Sequence, residues 1–297
     1  MSAEGFRAGF VALIGLPNVG KSTLLNRILG RKLAIVTPKP QTTRTRILGI
    51  ETRSDAQYLF VDTPGLHRPR NLLGERMVQV AQQSSADADV VVWVIDAEAG
   101  FGEEGEARAS ELHAGSKPLV VVLNKIDRVK RPELFGLAER LGRLAPGRDI
   151  VPVSARTSEN LEELLKTVRS HLPESPPLYP SDAQTDLPER FFAAEMIREQ
   201  LLLATHEEVP YQCAVRVDEF AEREGKDLVA ISATILVGRK SHKAIVIGER
   251  GSRLKSIGQA ARHELERFLG LRVYLELFVK VDPAWFTSAR SLTELGL

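Results

Sequence analysis

Residues Gly15-Leu16-Pro17-Asn18-Val19-Gly20-Lys21-Ser22 fit the pattern G-x-x-x-x-G-K-[ST] and directly follow the apolar run Phe10-Val11-Ala12-Leu13-Ile14. A buried strand, a glycine turn and a helix opening near Ser22 and Thr23 are what a phosphate-binding loop requires. The glycines let successive backbone N–H groups point inward at an anion, and the helix N-terminus adds its dipole. In such a loop Lys21 reaches the β- and γ-phosphates and the Ser22 hydroxyl ligates Mg²⁺. By composition alone the pattern arises roughly once in a hundred chains of this length. The correctly placed strand and helix make coincidence rarer still, so the chain must contain an α/β nucleotide-binding unit.

Two further stretches complete a pocket. Tyr58-Leu59-Phe60-Val61 reads as a buried strand ending in Asp62-Thr63-Pro64-Gly65. An aspartate at that end of a strand can hold Mg²⁺, directly or through water, and the Gly65 N–H can meet the γ-phosphate. Between the loop helix and the next strand lies a proline-punctuated polar segment, residues 32–50, containing Gln41-Thr42-Thr43-Arg44. A threonine there can complete the metal shell and sense the γ-phosphate; Thr43 is the first choice and Thr42 the reserve.

The base is selected by Asn124-Lys125-Ile126-Asp127, at the end of the apolar run Leu119 to Leu123. Guanine offers an N1–H and an amine side by side, and the Asp127 carboxylate can accept both. Adenine would leave that carboxylate unpaired, which is costly. Asn124 steadies the loop and the Lys125 stem can lie over the purine. After the last strand of the series, Ile150 to Val153, come Ser154 and Ala155, whose backbone N–H can face the guanine carbonyl.

At 297 residues the chain exceeds most single cores, so two domains are expected. A charged fraction of 27% and a net charge of +1 describe an ordinary water-facing protein and do not announce a polyanion partner. The single cysteine, Cys213, allows no internal disulfide. No run approaches the roughly 20 apolar residues needed to span a bilayer, and the scattered histidines show no zinc spacing. The boundary falls in residues 173–188, where five prolines sit among polar residues; this reads as an extended, semi-stiff linker and not a packed element. Beyond it, a helix over Glu189 to His206 is followed by two strands, Cys213 to Ala221 and Leu228 to Val237, joined around Glu224-Gly225-Lys226.

The second glycine loop is Gly248-Glu249-Arg250-Gly251. G-x-x-G alone is weak, and Gly102-Glu103-Glu104-Gly105 is a decoy whose carboxylates would repel phosphate. The surroundings differ: from Arg239 to Arg262 seven cations, among them Lys240, Lys243, Arg250, Arg253 and Lys255, face one acid, Glu249. A helix opening past a glycine loop in that setting suits a nucleic-acid backbone.

The five elements from Phe10 to Leu172 resemble the Ras-like GTPase superfamily, which implies a mostly parallel six-stranded sheet with the nucleotide at the strands' carboxyl ends. Where those proteins carry a water-orienting glutamine after the D-x-x-G glycine, this chain has Leu66. It is therefore similar to the slowly hydrolysing subgroup with a hydrophobic residue there. Asn18 together with Gln-Thr-Thr-Arg resembles members that recruit K⁺ beside the phosphates.

Lys243 to Gly258 resembles a KH domain, whose G-x-x-G loop, here Gly248 to Gly251, clamps single-stranded RNA. Propensity reads Ala244 to Ile247 as a strand, whereas the resemblance implies a short helix, and a helix is expected.

The arrangement of both domains, with Asp186-Leu187-Pro188-Glu189-Arg190-Phe191-Phe192 and the run Ile257-Gly258-Gln259-Ala260-Ala261-Arg262, resembles the Era family of ribosome-assembly GTPases. That resemblance implies a GTPase domain over 1–172, a linker over 173–188, a smaller α+β type II KH domain over 189–281 and a tail over 282–297. It implies GTP and GDP as ligands with Mg²⁺, and K⁺ as a stimulant. It also implies binding of the 3′ end of small-subunit ribosomal RNA in small-subunit assembly, and a monomer in the cytoplasm with peripheral contact at the inner face of the cell membrane. A signalling GTPase whose second domain binds protein is the main rival reading. A P-loop ATPase or kinase is the enzyme alternative, and a membrane-remodelling GTPase stands last.

Overall fold

In the computed structural model the described residues are 5–65, 69, 71–223, 225 and 227–297, with Glu104 described in its backbone alone. By internal packing the chain divides into two units. The first comprises Met1–Ala34, Thr43–His67 and Met77–Asp186, and the second Ile35–Thr42, Arg68–Arg76 and Leu187–Leu297.

The first unit is built on β1 (Arg7–Ile14), α1 (Lys21–Ile28), β2 (Ile47–Thr52), β3 (Ala56–Asp62), α2 (Leu72–Asp87, whose first turns fall in the second unit), β4 (Val90–Asp96), α3 (Gly102–Ala114), β5 (Leu119–Asn124), α4 (Arg131–Leu144), β6 (Asp149–Pro152) and α5 (Leu161–His171). The six strands form one sheet in the order β2-β3-β1-β4-β5-β6. Only β2 runs antiparallel to its neighbour, so the sheet is mostly parallel, as expected. The central strands β4 and β5 are near-continuous buried runs of Val, Leu and Ile, because helices cover a parallel sheet on both faces.

Helix α4 is not among the expected elements. It is a short-faced helix, with Leu141 buried and Leu134, Leu137 and Ala138 only partly so, and Phe135 lies exposed. Leu134, Leu137, Ala138, Leu141 and Leu144 nonetheless keep the 3.6-residue apolar spacing and pack in one cluster, so the sequence carried the signal for this helix and the reading passed over it.

Residues 173–186, expected to be an extended linker and not a packed element, contain bends at Leu178 and Tyr179 and a turn closed by the Ala183 N–H on the Pro180 carbonyl at 3.0 Å, and they are packed. The fully buried Gln57 on β3 donates its amide to the Tyr179 carbonyl at 2.9 Å and accepts the N–H groups of Leu178 and Tyr179 at 2.7 and 2.9 Å. Tyr179 and Ala183 also pack on Leu48, Ile50, Leu59 and Val61. A buried amide demands partners, and this segment supplies them.

The second unit is a three-stranded sheet under helices: α6 (Glu189–Ala204), β7 (Cys213–Glu222), β8 (Leu228–Val237), α7 (Lys240–Ile247), α8 (Ser252–Leu269), β9 (Arg272–Val281) and α9 (Ala289–Glu294). Strand β8 is central, antiparallel to β7 and parallel to β9. Met196, Ile197 and Leu201 of α6 and Ile257, Ala261 and Leu265 of α8 share a core with β7 and β8. Residues Ala244 to Ile247 lie in α7, so the helix expected there is present. Of the expected β7–β8 turn only Gly225 is described, with φ 71. Beyond β9, Trp285 is fully buried and donates its indole N–H to the Gln212 carbonyl at 3.3 Å.

Candidate functional site

The carboxyl ends of β1, β3, β4 and β5 bring the phosphate loop, Asp62 and the Asn124 loop together, as a parallel sheet does at its switch point. Gly20 caps α1 in the left-handed region at φ 99. A Cβ there would stand 2.3 Å from Asn124 Nδ2, so a side chain is excluded on both conformational and steric grounds.

Lys21 is buried and donates its ammonium to the carbonyls of Gly15 and Leu16, both at 3.1 Å. Burial pushes its pKa down to about 8, with the Asp62 carboxylate pulling the other way. The ammonium is thus held over the loop in which phosphates are expected.

Ser22, Thr43 and Asp62 converge. Ser22 Oγ donates to Asp62 Oδ2 at 2.6 Å, and Thr43 Oγ1 lies 3.0 Å from Ser22 Oγ and 3.5 Å from Asp62 Oδ2. Asp62 is completely buried, its Oδ1 has no partner, and burial raises its pKa. An orphaned buried carboxylate oxygen beside two hydroxyls is a donor set of hard oxygens that fits Mg²⁺. Thr42 points elsewhere: its hydroxyl lies 2.6 Å from Thr37 Oγ1 and donates to the Lys39 carbonyl at 2.7 Å. Within the second unit the Thr42 carbonyl accepts the buried Arg198 guanidinium at 2.5 Å, and the Val36 N–H donates to Glu199 at 3.0 Å. Residue Leu66 lies outside the described residues. Gly65 packs on Pro17, and a Cβ on it would approach the Pro17 nitrogen to 2.8 Å. The Thr63 hydroxyl is buried on the Leu13 carbonyl at 2.8 Å.

The base loop is held from three sides. Asn124 donates to the Val19 carbonyl at 2.9 Å and accepts the Ala155 N–H at 3.0 Å. That N–H, expected to face the guanine carbonyl, is engaged by Asn124 here. Lys125, at φ 68, donates to the Asn18 carbonyl at 2.8 Å and to Asp96. Asp127 accepts the Ser154 hydroxyl at 2.7 Å, which fixes one carboxylate oxygen and its plane. Asp96 is a residue that the sequence reading missed; an isolated acid at a strand end carries no pattern of its own.

In the second unit, α7 ends at Gly248 (φ 72), a single turn Glu249–Gly251 follows, and α8 opens at Ser252. Arg250 within the turn is itself left-handed at φ 48, a strained position for a non-glycine residue. Arg253 folds back to donate to the Ile245 carbonyl at 2.5 Å, so it braces the loop. Lys240, Glu249, Arg250 and Lys255 are exposed and Lys243 is half-buried.

Beside the loop runs a groove of about 540 Å³ between α8 and β9. Gly251, Lys255, Gln259 and Arg262 lie on its α8 side, and Tyr274 and Leu277 on its β9 side. Lys240 and Lys243 belong to α7 and do not line it. The β9 residues escaped the sequence reading, although an exposed Tyr274 and Phe278 on a strand are the kind of flat apolar surface on which bases stack.

Comparison with known proteins agrees with both halves. Residues 10–125 match the family model described as a 50S ribosome-binding GTPase, and residues 208–286 that of the KH domain. GTPase Era of Geobacter metallireducens is 47% identical over 296 residues, covering 100% of this chain and 99% of the relative. The crystal structure of an Aquifex aeolicus Era variant bound to GDP.AlF4- superposes with a TM-score of 0.93 at 42% identity, covering 98% of this chain and 99% of that one. An Era structure in complex with MgGDPNP and nucleotides 1506-1542 of 16S ribosomal RNA gives 0.94 at 43%, with the same coverage. With full-length identity at this level and both domain models in place, the chain belongs to the Era family of GTPases.

Proposed function

We propose that this chain binds GTP with Mg²⁺, hydrolyses it slowly to GDP and phosphate, and binds the single-stranded 3′ end of small-subunit ribosomal RNA through its second unit during small-subunit assembly. The observation that carries the nucleotide half is the convergence of Ser22, Thr43 and Asp62 beside Lys21, with Asp62 Oδ1 unpartnered. The Era relative solved with MgGDPNP and 16S ribosomal RNA supports both halves.

In this reading the backbone N–H groups from Asn18 to Thr23, with the loop residues Gly15, Leu16 and Pro17, cradle the phosphates. Lys21 sets its charge on the β- and γ-phosphate oxygens, and Ser22, Thr43 and Asp62 hold Mg²⁺. Bound Mg²⁺ supplies counter-charge to the β- and γ-phosphates as the bond between them breaks. Asp127 accepts from guanine, with Asn124, Lys125, Ser154 and Ala155 fixing the loop; Thr63 and Pro64 place the Gly65 N–H, which donates to a γ-phosphate oxygen. Water attacks the γ-phosphorus and GDP leaves through its β-phosphate oxygen. Asn18 is proposed to help hold K⁺ beside the phosphates, in the role an arginine finger plays elsewhere.

RNA is bound along Gly248, Glu249, Arg250 and Gly251, with Lys240, Lys243, Arg253 and Lys255 supplying the field and the α8–β9 groove receiving bases. Glu249 softens phosphate contact at its position. Among the described residues no helix is long and apolar enough to cross a membrane. The working location is the cytoplasm as a monomer, with peripheral contact at the inner membrane face checked by flotation on anionic vesicles.

The test is hydrolysis of GTP by the whole chain with Mg²⁺ or EDTA, in K⁺ or Na⁺ buffer. Turnover that requires Mg²⁺ and rises in K⁺ is expected. Mg²⁺-independent turnover overturns the metal assignment, and equal rates in the two salts overturn the role given to Asn18.

A further inference from the structure

Asp96 closes β4 directly opposite Asn124 in the parallel register of β4 and β5. It therefore stands beside the base-selecting loop without belonging to it. Its Oδ1 accepts the N–H groups of Glu98 and Ala99 at 3.0 and 3.4 Å, which anchors the carboxylate to its own turn. Its Oδ2 accepts the Lys125 ammonium at 2.5 Å, with the two side chains only 13% and 22% exposed. The same ammonium donates to the Asn18 carbonyl in the phosphate loop at 2.8 Å. Lys125 is thereby clamped at its tip between an anchored acid and a loop carbonyl, while its left-handed backbone, φ 68, is fixed at the other end.

A lysine side chain has four rotatable bonds, and ordering it costs on the order of 2 kcal/mol. A clamp that orders the stem in the protein spares that cost when a purine docks against it. The other charged groups at this turn, Glu98 and Arg128, pair with each other at 3.2 Å, which leaves Asp96 as the acid that holds Lys125.

We propose that Asp96 is a positioning residue for guanine-nucleotide binding. It holds the Lys125 stem across the purine and ties the β4 turn to the phosphate loop, and so sets how long a nucleotide stays. Base choice remains with Asp127. The inference rests on the guanine-nucleotide reading above.

The experiment measures dissociation of a fluorescent GDP analogue from the full chain on chase with unlabelled GDP. The proteins are the parent, Asp96→Asn, Lys125→Met and the double variant, with melting temperatures of the nucleotide-free forms alongside. Asp96→Asn keeps an oxygen for the Glu98 and Ala99 amides and removes the charge; Asp96→Ser is the second removal should the amide variant not fold. Loss of one charge-assisted hydrogen bond should speed release about tenfold. Lys125→Met should speed it at least as much, and the double variant no more than Lys125→Met alone. The ratio of guanine to xanthine nucleotide affinities should match the parent. Unchanged release from Asp96→Asn, effects that multiply in the double variant, or a tenfold change explained by a fallen melting temperature would each overturn the proposal. A parent protein that retains ADP as well as GDP would instead overturn the guanine reading itself.

Discussion

The proposed nucleotide pocket and the proposed RNA groove beside the G-x-x-G turn are built by opposite means. In the pocket Lys21 and Asn124 are buried, Lys125 is half-buried, and the polar groups already hold one another: Lys21 on Gly15 and Leu16, Lys125 on Asn18 and Asp96, Asp127 on Ser154, Asn124 on Val19 and Ala155. In the groove Lys255 and Arg262 are exposed beside an apolar floor that includes Leu254 and Leu277. Groups tied to one another give geometry and base choice, and exposed cations give affinity that salt can remove. A substitution in the pocket should break a network, and one in the groove should subtract one contact.

That contrast is most exposed at Asp127. Asp127→Asn removes a charged acceptor of two guanine hydrogen bonds, a loss of roughly 3 kcal/mol or more, over a hundredfold in affinity. Competition between GDP and xanthosine diphosphate should show the preference moving toward xanthine, while RNA binding stays as in the parent. The hydroxyls at positions 42 and 43 come next. Thr43→Ala removes a group beside Ser22 and Asp62, so Mg²⁺-dependent hydrolysis should fall about tenfold further than in Thr42→Ala, a loss comparable to one hydrogen bond to a charged group.

Lys21 gives the pH dependence. Its folded pKa of about 8 lies below the usual 10.5. Between those values the unfolded chain binds a proton that the folded one has lost, so the nucleotide-free protein should gain stability as pH rises through that window. Phosphate binding wants the ammonium, so GDP affinity should fall over the same window, by up to about tenfold per pH unit. Opposite trends in melting temperature and GDP affinity between pH 8 and 10 are the signature. The smallest effect belongs to the groove: Lys255→Gln should weaken single-stranded RNA a few-fold and lower the salt slope by roughly 0.7.

What was legible in the sequence was contiguous. The phosphate loop, Asp62 to Gly65 and Asn124 to Asp127 are short runs whose chemistry is complete within a few residues, and the sheet that carries them follows from buried apolar runs. What was not legible joins residues far apart. Gln57 holds Leu178 and Tyr179 from more than 120 positions away, so a proline-rich stretch read as a semi-stiff linker and not a packed element lies packed along β3. Asp96 finds Lys125 through strand register. The helix over Ala244 to Ile247 defies its own β-branched propensity, because tertiary packing of Val246 in the core outweighs it, and it was expected only through the KH resemblance. Tyr274 and Leu277 face a groove that exists only once β9 lies beside α8.

The most direct test of the central claim, a guanine-nucleotide enzyme that also grips single-stranded RNA by charge and stacking, is RNA binding by the Asp127→Asn protein. Anisotropy of a short labelled single-stranded RNA, titrated at rising salt with the parent as control, reads it. The account predicts matching affinities in the two proteins and a steep linear fall of log affinity with log salt. RNA binding that is absent from the parent, insensitive to salt, or lost along with guanine preference would contradict it.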